Sequence, residues 1–145
     1  MEGDIRLPSG ESLFQLNKIF MEHFKLEHAS DEEIEGLDDI DINIKLLFDD
    51  AETEYKSDGI VSIKHDISGF YTGVKISIVL ISEIFVKNNE MSLNQLINGS
   101  LPELAKPGLN RASILIAQPM ESFTHFPVLV DFYDMYKDFH EKNKN

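Results

Sequence analysis

The sequence predicts an α+β domain: a four-stranded antiparallel, Greek-key-like sheet in the order 2-3-4-1, with two main helices on one face. Three observations predict it. Four segments in the first 90 residues alternate large apolar and polar side chains at period two. The loops joining the second, third and fourth of them are short. The periodicity turns helical after Ser92.

The fourth segment, Val74–Val86, anchors the prediction. Val74, Ile76, Ile78, Leu80, Ile84 and Val86 recur at period two, yet Val79, Ile81 and Phe85 make the opposite face largely apolar as well. A one-sided strand would carry polar residues there, so this strand is expected at the centre, covered on both faces. The first strand, Phe14–Glu27, sets Phe14, Leu16, Phe20, Phe24 and Leu26 on one face. Gln15, Asn17, Met21, His23, Lys25 and Glu27 fall on the other, with Ile19 the exception. His28–Asp38 is acidic and exceeds the two to about five residues of a hairpin loop, so it should cross an end of the sheet. The second strand, Asp39–Asp49, alternates Ile40, Ile42, Ile44, Leu46 and Phe48 with polar residues. A polar turn ending in Ser57-Asp58-Gly59 leads to the third strand, Ile60–Phe70, and Tyr71-Thr72-Gly73 turns into the fourth. Short loops make strands two to four a meander, and the open place beside the fourth falls to the first.

Beyond the strands, Ser92-Leu93-Asn94-Gln95 and Ser100-Leu101-Pro102-Glu103 both fit a capping box. Leu109, Ala112, Leu115 and Ile116 follow at helical spacing, which predicts helix over roughly Leu101–Gln118, with an interruption at Pro107-Gly108. An extended piece, Phe123–Val130, precedes a last helix capped by Asp131, whose Phe132, Tyr133, Met135, Tyr136 and Phe139 form a wide apolar stripe. The organisation is thus a flexible N-terminal segment at 1–13, one domain at 14–140 and a flexible tail at 141–145.

Length and composition bound the function. A chain of 145 residues is one domain by size and buries roughly two thirds of its surface without staples. It has no cysteine, which fits a reducing cytoplasm. Residues 1–12 lack an apolar core for a secretory signal, and no apolar run approaches the ~18 residues of a membrane span. A net charge of −13 speaks against nucleic acid and anionic membranes, which are held mainly by Lys and Arg. Twelve acids and a single cation, Lys45, lie between Glu27 and Glu54. They read either as a solvated acidic rim or as a docking surface for a basic partner.

Chemistry-bearing motifs are scarce. The five histidines show no zinc-ligand spacing. Asp39-Ile40-Asp41-Ile42-Asn43 mimics the start of a calcium loop, but Ile44 stands where glycine is needed and Asp50 where glutamate is. Alternating isoleucines explain that segment better as a strand. There is no nucleophile elbow, Walker loop or dinucleotide fingerprint, and His65 and Asp66 should point to opposite faces. No enzymatic activity and no cofactor or metal is expected. The exposed apolar surface is what calls for an explanation. Six of the fourteen aromatics lie between Phe123 and Phe139, and Ile19, Met21, Val79, Ile81 and Phe85 are placed on the outer sheet face. Either helices cover both faces, or another subunit covers one of them. The second reading makes Met21, Val79 and Ile81 subunit contacts.

Phe14-Gln15-Leu16-Asn17-Lys18-Ile19-Phe20 resembles the first strand of the SecB family of export chaperones. Glu83-Ile84-Phe85 sits where that family closes its fourth strand. Leu101-Pro102-Glu103-Leu104-Ala105-Lys106-Pro107-Gly108-Leu109-Asn110-Arg111 resembles the lead-in to its long helix, with one residue inserted, and Phe126-Pro127-Val128-Leu129-Val130-Asp131-Phe132 a shortened approach to its last helix. The resemblance spans roughly Phe14 to Phe139. It implies a dimer of dimers in the cytoplasm, holding unfolded polypeptide clients in long apolar grooves and delivering them to SecA. The long first loop would be one groove wall. Leu37, Phe48, Tyr133, Tyr136 and Phe139 are the groove residues expected on this basis. The family's SecA-facing carboxylates match only His23 and Glu27 on the first strand, the fourth-strand acid falls near Ile78, and the C-terminus has no acidic tail. These departures point to a relative serving another client, such as an antitoxin. A reading from a different class is a domain whose curved sheet and long helix enclose a small apolar ligand.

Overall fold

The computed structural model describes residues 13–48, 51–87 and 90–143. The segment and tail expected to be flexible fall largely at residues 1–12 and 144–145, outside the described residues, as does Asp49 at the expected end of the second strand. Leu13, the last residue of the expected N-terminal segment, is buried.

Four strands form one antiparallel sheet: β1 (Phe14–His28), β2 (Ile40–Leu47), β3 (Ile60–Tyr71) and β4 (Val74–Val86), in spatial order β1-β4-β3-β2. This is the order expected from loop length, with β4 interior and β1 and β2 at the edges. Gly69 pairs opposite Ile42 at a φ of 140°, and a Cβ there would run into the Asp41 carbonyl, so only glycine allows the β2–β3 approach.

The β1 pattern read from the sequence is corrected by two bulges against β4, at Leu16/Lys18 and Met21/His23. Each inserts one residue and reverses the faces that follow. Ile19 and Met21 therefore stand opposite Ser82 and Leu80, on the side of the sheet that the helices cover. Phe20 stands opposite Ile81 on the other side. The apparent exception at Ile19 is the trace of the first bulge.

Helices α1 (Asp31–Ile34) and α2 (Ala51–Asp58) occupy segments expected to be loop and turn. The first is a single turn with a capping box between Ser30 and Glu33. It is tied to the sheet by Lys75, whose Nζ lies 2.7 Å from Glu33. Helix α3 (Leu93–Thr124) is longer than expected and starts at the Ser92 box. Its break lies at Ser100, with φ −139° and ψ 23°, and not at Pro107-Gly108. Ser100 begins a second helical half in which Pro102 falls in the first turn, where its missing N–H costs little. Pro107 and Pro119 are carried inside the helix. His125 ends it in the left-handed conformation, so the extended piece begins later than expected. Helix α4 (Phe132–Lys142) starts at Asp131, whose carboxylate accepts from the Asp134 N–H, and continues past residue 140.

Helix α3 packs across β4, β1 and β3, and α4 packs on α3 and lines a cleft with β2. One face of β4 (Val74, Ile76, Ile78, Leu80, Ser82, Ile84, Val86) is fully buried beneath them. Of the two covers considered for β4, the chain's own helices supply only one: Lys75 to Ile81 alternate as half-buried positions on the far face, and Phe85 is 39% exposed. Two clusters fill the core. The larger joins Ile67, Ile76, Ile78 and Leu80 to Leu109, Ala112, Ile116 and Phe132. The smaller joins Leu13, Tyr55, Val61, Ile63, Ile84, Leu96 and Leu104. Among the described residues, no helix is long and apolar enough to cross a membrane.

Candidate functional site

β2 is an edge strand, and its helix-facing row, Ile40, Ile42, Ile44 and Leu46, stands opposite Tyr71, Gly69, Ile67 and His65 of β3. Helix α4 closes over part of this row. Between them is a cleft of about 60 Å³ lined by Ile42, Asn43, Ile44, Met135, Tyr136 and Phe139. The strand's period of two presents Ile42 and Ile44 together, and the helical spacing of Met135, Tyr136 and Phe139 answers them. Tyr136 is 8% exposed, and burial raises its hydroxyl to about 12, so it stays neutral. Its ring stacks on His140 at 6.0 Å.

A larger cleft of about 420 Å³ opens at the same end of the sheet. His28, the Tyr71–Val74 turn, Phe123, Thr124, Phe126 and Val128 line it. His28 and Phe123 meet ring to ring at 4.8 Å. The Thr124 hydroxyl, with one proton to donate, lies 3.0 Å from both the Met120 and the Phe126 carbonyl oxygens, at the departure of the chain from α3. Ile40, opposite Tyr71 of the larger cleft, is the next helix-facing residue of β2 beyond Ile42 of the smaller one. The border is apolar and open: Ile40 is 46% exposed, Phe126 66%, Leu129 76% and Phe139 64%. A third cavity, of about 360 Å³, lies beside Tyr55 and Glu90–Gln95 and is framed by the Tyr55 hydroxyl donating to the Met91 carbonyl at 2.6 Å.

The residues expected to form a groove separate. Tyr136 and Phe139 line the β2–α4 cleft. Leu37, 39% exposed, precedes β2 in the acidic loop. Tyr133 lies beside the larger core cluster, with the Lys106 and Lys137 ammoniums 5.3 and 5.4 Å from its ring. Phe48 packs against the other cluster, the one that holds Leu13 and Tyr55. Of the residues expected at a subunit contact, Val79 and Ile81 share the outer face, and Met21 is turned to the opposite face by the bulge. His23 and Glu27 lie on the outer face, where His23 Nε2 meets the Ser77 hydroxyl at 3.1 Å and Glu27 meets Lys25 and Lys75 at 3.6 and 4.0 Å. Sequence reasoning missed Met135, Phe126, Val128 and His28 as cleft residues. The cluster of aromatics after Phe123 was the available signal for two of the clefts' walls.

Chemistry-bearing groups do not converge on either cleft. Among the described residues, no group of three or more His, Asp or Glu side chains could hold a metal ion. His65 is buried on the helix-facing side and Asp66 lies on the outer side, so they do not share a pocket. What the clefts can do is bury apolar and aromatic side chains of something else.

No protein-family model matches the chain, and no curated protein is similar to it in sequence. In structure, the chain is similar to a protein of unknown function from Streptococcus agalactiae, with a TM-score of 0.53 and 16% identity, over 82% of this chain and 97% of that one. Identity that low carries the fold alone.

Proposed function

We propose that this chain is a nucleotide-independent holder of unfolded polypeptide, a SecB-like chaperone working as a homo-oligomer. The observation that carries the reading is the apolar helix-facing row of β2, which lines the smaller cleft and runs toward the larger one, with Phe139 exposed at the first, Phe126 at the second and Leu129 next to Val128 of the second. An extended chain along that row gains apolar contact without sequence readout, and the free edge of β2 offers main-chain hydrogen bonds. Exposed acids at its start, Asp38 and Asp39, favour clients with basic residues. The strand order and the placement of both long helices on one face support the resemblance. SecA delivery is a weaker part of the reading, because Glu27 is already paired with lysines on its own face. A non-export client such as an antitoxin is compatible with the same row.

Phe126→Ser, Leu129→Ser and Phe139→Ser, combined, test it. All three positions are more than half exposed, so the fold should survive. The wild-type chain should suppress aggregation of a denatured client at stoichiometric ratio, and the triple variant should lose most of that suppression with an unchanged circular dichroism spectrum. A wild-type chain with no effect on aggregation ends the proposal. The larger cleft favours a second reading, because about 420 Å³ lies within the size range of small-ligand pockets. Native mass spectrometry showing a co-purified apolar ligand at full occupancy would favour it.

A further inference from the structure

The outer face of the sheet, opposite the helices, has no covering element among the described residues. Its centre is apolar. Phe20 stands opposite Ile81 across β1 and β4, Val79 is the next outward residue on β4, and Phe85 stands opposite Ile60 on β3. Phe20 is 44% exposed and Phe85 39%.

The charges around this centre differ from those of the rest of the chain. Lys18 lies 3.7 Å from Glu83, Lys64 3.5 Å from Glu22, and Lys25 and Lys75 3.6 and 4.0 Å from Glu27. Lys45 stands opposite Asp66, and Asp41 completes the face. With Glu33, 2.7 Å from Lys75, five lysines meet six carboxylates, so nearly all of the net charge of −13 is carried elsewhere. Two such anionic bodies repel one another most through their acidic surfaces. This face, close to neutral with both signs interspersed, adds little to that repulsion.

The face also has the needed size. Its strands of 15, 8, 12 and 13 residues, at ~3.3 Å per residue and ~4.8 Å apart, cover roughly 750 Å². A stable interface takes about 800 Å² from each partner. We propose that a second copy of this chain covers the outer face, sheet against sheet about a twofold axis, with Phe20, Val79, Ile81 and Phe85 at the centre. Two such sheets pack ~10 Å apart with interdigitating side chains. The surface lies opposite the clefts, so it stands whether or not the clefts hold a polypeptide.

Sedimentation of the full chain at micromolar concentration tests it, with four variants. The wild-type chain should sediment as an assembly of two copies or a multiple of two. Ile81→Asp counts twice in a twofold interface and should weaken association roughly 100-fold or more. Phe20→Ser, at a position already part-exposed, should halve the mass without affecting the fold. Leu16→Ser on the helix-facing side of β1 and Ile114→Ser on the exposed side of α3 should leave the mass unchanged. A wild-type monomer overturns the proposal. So does an assembly that survives both outer-face variants, or one that Leu16→Ser or Ile114→Ser dissociates. Client holding is read separately by aggregation, so either proposal can fail alone.

Discussion

His65 shows at the scale of one residue how the fold constrains chemistry. Its ring is fully buried, Nδ1 lies 3.3 Å from the Leu80 carbonyl, and Nε2 has no hydrogen-bond partner. Burial lowers its pKa from 6.5 to about 4, partly opposed by the Leu80 carbonyl. The folded chain therefore holds a neutral imidazole where the unfolded chain binds a proton. Stability is complete above pH 6.5 and is lost progressively as pH falls toward 4. Urea unfolding at pH 5 should give about 2 kcal/mol less stability than at pH 7 from this group alone. An imidazole that titrates near 6.5 in the folded chain by NMR would contradict this. The same ring explains Gly108, because a Cβ there would collide with the imidazole. Gly108→Ala should cost about 1–3 kcal/mol in thermal or chemical unfolding despite the better helix propensity of alanine. The sequence offers His65 as one residue of an alternating strand and Gly108 as a helix weakness. Only their contact across two elements turns the glycine into a packing requirement.

Among the elements, α1 illustrates a local signal that was present and passed over. Ser30-Asp31-Glu32-Glu33 is a capping box, but one turn leaves no periodicity to support it. Its hold on the sheet comes from Lys75 on β4, 42 residues away. That bond, then the Ser30 N–H, lowers the Glu33 carboxyl to about 2. The clamp is present above pH 4.5 and released as pH falls through about 2. Glu33→Gln should speed amide hydrogen exchange across Asp31–Ile34 and leave the exchange of β4 unchanged. Slow exchange in both chains would show that the loop is held by other contacts. The α2 segment, AETEYKSD, has one large apolar residue in its sequence, Tyr55, which is buried, so the pattern had no face to reveal. The β1 pattern was legible only in part. A bulge adds one residue to one strand, and its presence depends on the partner strand.

On the scale of the molecule, the apolar surfaces divide between two sides of one sheet. The helix side presents clefts along β2, and the outer side presents a nearly neutral plane with an apolar centre. Elsewhere the acids dominate, so self-repulsion should tax the folded chain at low ionic strength. Raising salt from dilute buffer to about 0.5 M, where the Debye length falls to a few Å, should raise the midpoint of thermal unfolding. A falling midpoint would mean that surface ion pairs outweigh the repulsion. The sequence by itself determined the α+β class, the strand order and the position of the last helix cap, because period-two alternation, loop length and an Asp before an apolar stripe are local properties of the chain. Tertiary structure alone decided the faces of β1, the turn of Met21 away from Val79 and Ile81, and the separation of Phe48 from Tyr136 and Phe139. The physical reason is common to all three. Each depends on which residue of a distant element arrives opposite, and pairing across space leaves no mark in a single strand's alternation.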